Sequence, residues 1–174
     1  MRRLALIAPL ALFACDHPEM RTGAPVAGGR VATAQLVTAI GQPAGRATVT
    51  EVAGGLRVTI EARGLTPGNH GAHLHTTGRC DRPDFASAGP HWNPTGTKHG
   101  SMNPQGPHAG DLPNLIVGPD GRGTLGVTLA GATLDGLLDA DGAAMVIHAG
   151  ADDLTTDPAG NSGARIACGV LSPA

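Results

Sequence analysis

The segment from residue 76 to 113 constrains this chain more than any other. It lies among short alternating strands, yet it has no strand period of its own. It holds Pro83, Pro90, Pro94, Pro104 and Pro107, and Pro113 closes it. So long a structureless stretch is uncommon inside a compact domain unless it serves a function. This one carries Cys80, His91, His99, His108 and Asp111. Metal and disulfide clips are the efficient way to close a long loop, so the rest of the chain must supply a frame against which the loop is pinned.

That frame is written in strands. In "GLRVTIEA" (55–62), Leu56, Val58 and Ile60 alternate with Arg57, Thr59 and Glu61, the pattern of a half-buried antiparallel strand. Gly54-Gly55 joins it to "ATVTEV" (47–52) as a hairpin. "NLIVG" and "GTLGVTLA" flank the turn Gly118-Pro119-Asp120-Gly121, and "AAMVIHA" (143–149) and "ARIACGVL" (164–171) add two more strands. No helical period persists for three turns. With 27 glycines, 14 prolines and Phe13, Phe85 and Trp92 as its aromatics, the 174-residue chain predicts one all-β domain, a sandwich or barrel.

The N-terminus reads as a processing signal. Arg2 and Arg3 precede the apolar run Leu4 to Ala14, and Cys15 follows; a basic region, a short apolar region and a small residue describe a secretory signal. "LFAC" (12–15) resembles a bacterial lipoprotein cleavage box, although Phe13 fits it poorly. The expectation is a signal peptide over residues 1–14, Cys15 as lipidated mature N-terminus, a flexible tether over 15–30 and a folded domain over 31–174. Cut elsewhere, the segment would be an ordinary signal peptide. An exported chain sits in an oxidising compartment; if Cys15 carries lipid, Cys80 and Cys168 are left to pair. The expected location is the periplasm, with the membrane engaged through the lipid. A formal charge of −2 and no polybasic run give no sign of a nucleic-acid partner.

The histidines point to metal. "NHGAHLH" (69–75) places His73 and His75 two apart, on one face of a strand, where both can converge on one ion. His148 lies in another strand. His91, His99, His108 and Asp111 lie in the long loop. The pair His108-x-x-Asp111 adds a carboxylate to nitrogen donors, which suits tetrahedral zinc, whereas an all-imidazole set suits copper among other metals. A metal buffer or carrier and a metalloenzyme both remain open on these residues alone.

"GNHGAHLH", "AGPHWNP", "KHG", "PHAGDLPNL", "VIHAGADDL" and "GNSGARIACGVL" together resemble the copper/zinc superoxide dismutases, in order, over roughly residues 31 to 171. The resemblance implies a Greek-key β-sandwich or flattened barrel of about eight antiparallel strands with long metal-binding and active-site loops. It implies one copper held by His73, His75, His91 and His148, and one zinc held by His91, His99, His108 and Asp111, with His91 shared between them. Asp152 matches the aspartate that joins a copper histidine to a zinc histidine, here His73 and His99. Cys80 and Cys168 match the intrasubunit disulfide, and Arg165 matches the arginine beside the copper. The implied activity is dismutation of superoxide to oxygen and hydrogen peroxide, with copper cycling, Arg165 holding the anion and His91 taking up a proton. It would protect the cell envelope.

The matching position of His70 is structural, and His17 lies in the tether. Members occur as monomers and as homodimers, so either state fits. Two departures stand out. Ala72 sits where many members place a bulkier apolar residue. Between "ADDL" and "GNSGAR" only "TTDPA" (155–159) remains, with Asp157 its sole charge, which leaves Arg165 and Lys98 as cations for steering.

Overall fold

The computed structural model describes Val26 and residues 29–174; the expected signal segment, Cys15 and nearly all of the expected tether lie outside the described residues. In chain order the strands are β1 (Val31–Thr38), β2 (Pro43–Val52), β3 (Gly55–Ala62), β4 (Gly68–His70), β5 (Ala72–His75), β6 (Leu115–Val117), β7 (Gly123–Ala130), β8 (Ala144–His148), β9 (Arg165–Val170) and β10 (Ser172–Pro173). Among the described residues a short 3-10 turn, Ala86–Ala88, and one four-residue helix, α1 (Leu134–Leu137), interrupt them.

Hydrogen bonding arranges the strands as β4-β6-β7-β3-β2-β1-β9-β8-β5, with β10 against β1 and every pair antiparallel. The two ends of this order, β4 and β5, are consecutive in the chain and separated only by Gly71. One interrupted strand therefore brings the two edges together and nearly closes the sheet into a barrel. With β4 and β5 taken as one strand and the short β10 set aside, the barrel has the eight strands expected. The links from β3 to β4 and from β7 to β8 cross its ends between non-neighbours, which is the Greek-key connection.

Alternation fills the interior. Leu56, Val58 and Ile60 of β3 are fully buried. They stand opposite Leu129, Val127 and Leu125 of β7, and Val58 and Ile60 also face Val49 and Ala47 of β2. Such cross-strand apolar pairs are the unit of sheet stabilisation. β2 begins at Pro43, four residues earlier than its apolar pattern shows, because the register shifts beside Leu36 and Val37. The β2–β3 turn is Ala53-Gly54, and Gly55 already pairs with Val52.

β5 and β8 are buried on both faces. Ala72 and Leu74 of β5, with Met145 and Ile147 of β8, join the main core. The opposite face of β8 presents Ala144 and Val146 to a second cluster with Phe85, Ala88 and Cys168. The long loop between β5 and β6 supplies Phe85 and Ala88, and the Cys80–Cys168 disulfide ties that loop to β9. The continuous apolar run of β8 thus reflects a strand sandwiched between barrel and loop.

Gly71 makes the closure possible. Its N–H donates to Gly150 O at 2.8 Å and its carbonyl accepts from His148 N at 2.8 Å. A Cβ here would lie 2.7 Å from the Ser162 Cβ and 3.1 Å from His73 Cε1. Gly71→Ala is expected to lower stability by about 1–3 kcal/mol through overpacking, read as a drop in Tm.

Candidate metal centre

The loop does not merely lie over β5; it hydrogen-bonds to it. Leu74 N donates to Gly110 O at 2.9 Å, and Trp92 N donates to Leu74 O at 2.8 Å. Isolated bridges set His75 opposite His91 and His73 opposite Asp111. Since Ala72 and Leu74 face the core, His73 and His75 face the loop, and the bridges bring loop donors into register with them. β8 adds His148, which pairs across the ladder with Arg165 of β9.

Two groups of donors result. One atom from each of His73, His75, His91 and His148 lies within 4.8 Å of the others, and the same holds for His91, His99, His108 and Asp111. All seven residues expected as ligands are therefore brought together, and His91 belongs to both groups.

The imidazole edges are already sorted. His73 Nε2 is 2.7 Å from Asp152 Oδ2, His75 Nδ1 is 2.8 Å from Gly89 O, and His148 Nδ1 is 3.1 Å from Gly163 O. His91 Nδ1 is 2.9 Å from Asp111 Oδ1. The opposite nitrogens, His73 Nδ1, His75 Nε2, His91 Nε2 and His148 Nε2, are buried without a hydrogen-bond partner. A buried orphan of this kind costs about 1–3 kcal/mol. Four of them gathered in one place fit a nitrogen-ligated metal ion that would use them all.

The second group is centred on one oxygen. Asp111 Oδ1 has His91 Nδ1, His99 Nδ1 and His108 Nδ1 at 2.9, 3.0 and 3.3 Å. Its Oδ2 accepts the backbone N–H groups of Gly100 at 2.8 Å and His108 at 2.9 Å. Those amides fix the carboxylate and leave Oδ1 facing three imidazoles. Three nitrogens and one oxygen form a four-donor set that fits zinc.

Asp152 connects the groups. It faces His73 through Oδ2 and His99 Nε2 through Oδ1 at 3.0 Å, with all three side chains fully buried. Sequence reasoning missed what holds it. Asn114 grips its backbone from both sides, accepting from Asp152 N at 2.8 Å and donating to Asp152 O at 2.9 Å. No spacing in the sequence signals that pair. Gly160 adopts φ +60, and a Cβ there would collide with Asp152 Oδ1.

Arg165 is held by loop carbonyls. Nη1 donates to Phe85 O and Nη2 to Gly89 O, each at 2.7 Å. Gly89 O also faces His75 Nδ1, so one carbonyl couples the guanidinium to the imidazole group. Arg165, His91 and His148 line an open cleft of about 1250 Å³, with Ile40, Leu65 and Ile166 among its walls. Lys98, the other expected cation, is engaged by Asp157 at 3.0 Å. His70 presents its ring nitrogens to His148 O at 2.7 Å and Thr66 O at 2.8 Å, which makes it a framework residue.

Burial sets the protonation states. It pushes His73 down to about 4 despite Asp152, His75 to about 2 and His148 to about 3. Their imidazoles stay neutral near pH 7, with a lone pair available to a metal. Burial raises Asp111, but the His91 hydrogen bond and the Gly100 amide outweigh it and hold the carboxyl at about 2. In the metal-free protein, unfolded histidines gain protons as pH falls through 6.5 while these three remain neutral. The unfolded state then binds more protons, so stability declines as pH falls from 6.5. Asp111 and Asp152, both depressed, add a further decline below 3.8. Thermal unfolding of the metal-free, disulfide-intact protein between pH 7.5 and about 4 should show Tm decreasing steadily with acidity; a flat profile contradicts it.

Residues 43–171, well over half of the chain, match the copper/zinc superoxide dismutase (SODC) family. A Cu-Zn superoxide dismutase of Caulobacter vibrioides is 45% identical over 147 residues, covering 80% of this chain and 84% of its own. The crystal structure of a SOD-like protein from Bacillus subtilis superposes with a TM-score of 0.76 at 45% identity, covering 80% of this chain and 97% of that one. The Cu/Zn superoxide dismutase from Brucella abortus gives a TM-score of 0.67 at 30% identity, covering 82% and 99%. With its nearly closed Greek-key barrel and its two donor groups meeting at one histidine, this chain belongs to the copper/zinc superoxide dismutase family.

Proposed function

We propose that the protein dismutates superoxide at a copper held by His73, His75, His91 and His148, bridged through His91 to a zinc held by His91, His99, His108 and Asp111. The observation that carries this reading is the edge sorting of His91: Nδ1 faces Asp111 while Nε2 is an orphan among the other imidazoles. A rigid ring with nitrogens on opposite edges can serve both groups at once. Family membership brings one copper and one zinc per subunit, and both donor groups fit them.

When bound, copper supplies one-electron redox chemistry and zinc fixes the loop and the electronics of His91. The chain's own residues do the rest. Two superoxide anions and two protons become oxygen and hydrogen peroxide, so the protein must attract an anion and deliver protons. Arg165 offers the charge: two of its N–H groups are spent on Phe85 and Gly89 carbonyls, and the others of its planar fork remain for an oxygen anion in the cleft. His91 Nε2 is the edge that takes up and returns a proton while Nδ1 stays on the zinc side. Asp152 and Gly89 lock His73 and His75 in single ring orientations, so the site is preorganised before an anion arrives. With Lys98 bound to Asp157, attraction rests on Arg165.

The export reading completes the proposal. A disulfide joins Cys80 to Cys168, as suits an oxidising compartment, and Cys15 follows a basic pair and an apolar run. We infer a periplasmic protein anchored by lipid on Cys15, protecting the envelope. Palmitate labelling of the full chain in a bacterial host should mark the protein and vanish with Cys15→Ser; labelling that survives the substitution removes the anchor.

The activity is tested by superoxide decay with protein carrying both metals against protein carrying zinc alone. Decay should require copper. Arg165→Ala should slow it roughly tenfold or more, the worth of one charge-assisted hydrogen bond, and flatten its dependence on ionic strength. His91→Ala should abolish turnover. Stoichiometric metal without copper-dependent decay would leave a metal carrier instead.

A further inference from the structure

The shortened stretch 155–159 keeps one charged residue, and that residue is occupied on three sides. Asp157 Oδ1 accepts the backbone N–H of His99 at 2.9 Å. Asp157 Oδ2 accepts from Lys98 Nζ at 3.0 Å. His108 Nε2 lies 3.8 Å from Asp157 Oδ1, too far for a hydrogen bond, so the carboxylate's charge meets this edge of the ring only as a nearby N–H dipole. The Asp111 carboxylate faces Nδ1 of both His99 and His108, so Asp157 works from behind two of the four donors. The surrounding hydrogen bonds run the same way: Met102 N donates to Leu154 O at 2.9 Å and Asn103 Nδ2 to Thr155 O at 3.1 Å.

We propose that Asp157 is a positioning residue for zinc, holding the His99 backbone by a hydrogen bond and setting its charge beside the outer edge of His108, so that both rings keep their Nδ1 atoms aimed at Asp111 Oδ1. The proposal rests on the zinc ligand set given above. A histidine metal ligand gains basicity and a fixed orientation when its other edge meets a carboxylate or carbonyl. For His99 that outer partner is Asp152. For His108 the carboxylate in reach is Asp157. The two loops that meet at the site are thereby joined by one buried carboxylate and one at the surface. The short stretch, which has little charge left for guiding an anion, serves as a clamp on the zinc side.

The test is zinc release from protein carrying both metals into a colorimetric zinc chelator, with the thermal midpoint of the metal-free protein alongside. Asp157→Asn retains an oxygen for the His99 amide but loses the charge facing His108. It should release zinc about tenfold faster, the lower end for loss of an outer ligand partner, with the metal-free midpoint unchanged. With cobalt(II) in place of zinc, the visible ligand-field bands should shift in Asp157→Asn. Lys98→Met removes the ion pair alone and should release zinc at the parent rate. Unchanged release from Asp157→Asn overturns the proposal, as does a metal-free midpoint that falls in step with faster release, or Lys98→Met matching Asp157→Asn. A parent protein that takes up no zinc sinks the ligand assignment itself, and the proposal with it.

Discussion

The carboxylate of Asp152 is the joint on which the site turns. Its two oxygens meet His73 on β5 and His99 in the long loop, so a barrel strand and a proline-rich excursion share one buried anion. A carboxylate with no exposed surface is costly unless its lone pairs are used. Here both oxygens are engaged, and Leu154 N donates to Oδ1 as well. The Asn114 side chain fixes the backbone of Asp152, and the absence of a side chain at Gly160 leaves room for it. Moving this one group would disturb both donor sets together.

The remaining fastenings act at distinct points along the loop. Near its start the disulfide links Cys80 to β9. Next, the Phe85 and Gly89 carbonyls hold Arg165. Further on, residues 91–92 and 110–111 hydrogen-bond to β5. Each fastening also orients a functional group, so fixing the loop and building the site are one operation. What the protein leaves unsatisfied is equally ordered, since four of the orphaned ring nitrogens gather where one ion would use them and a fifth, His108 Nδ1, faces Asp111 in the other group. Binding that relieves such orphans adds to folding free energy, which ties the stability of this domain to its metal supply.

Much of this was legible in the sequence, for reasons that differ by element. β3 could be read residue for residue because one of its faces is polar. The first half of β2 is not legible, since it passes through a register shift that breaks alternation. β8 carried no alternation because the loop covers its second face. The histidines were legible because imidazole in quantity is rare and His73-x-His75 has strand spacing. Their partners were not: a backbone carbonyl such as Gly89 has no sequence signature, and Asn114 and Asp157 are surface-type residues whose roles depend on two loops meeting. Sequence shows which groups could bind an ion, while the sorting of ring edges emerges only from the packed neighbours.

That sorting bears on how the proposed copper and zinc positions differ. Affinity alone does not separate the metals, because copper(II) outcompetes zinc at most nitrogen and oxygen sites. The chain separates them by donor type and support. One group offers four imidazoles, three of them kept uncharged by burial, and opens on a cleft beside a guanidinium. The other adds the Asp111 carboxylate, held by two amides, and is closed over by Asp152 and Asp157. An all-imidazole set open to an anion suits a metal that must change charge and meet superoxide. A charged, enclosed, four-donor set suits a metal that must stay in place. His91 belongs to both because its two edges face these two environments, and the difference between them is what lets one ring serve each.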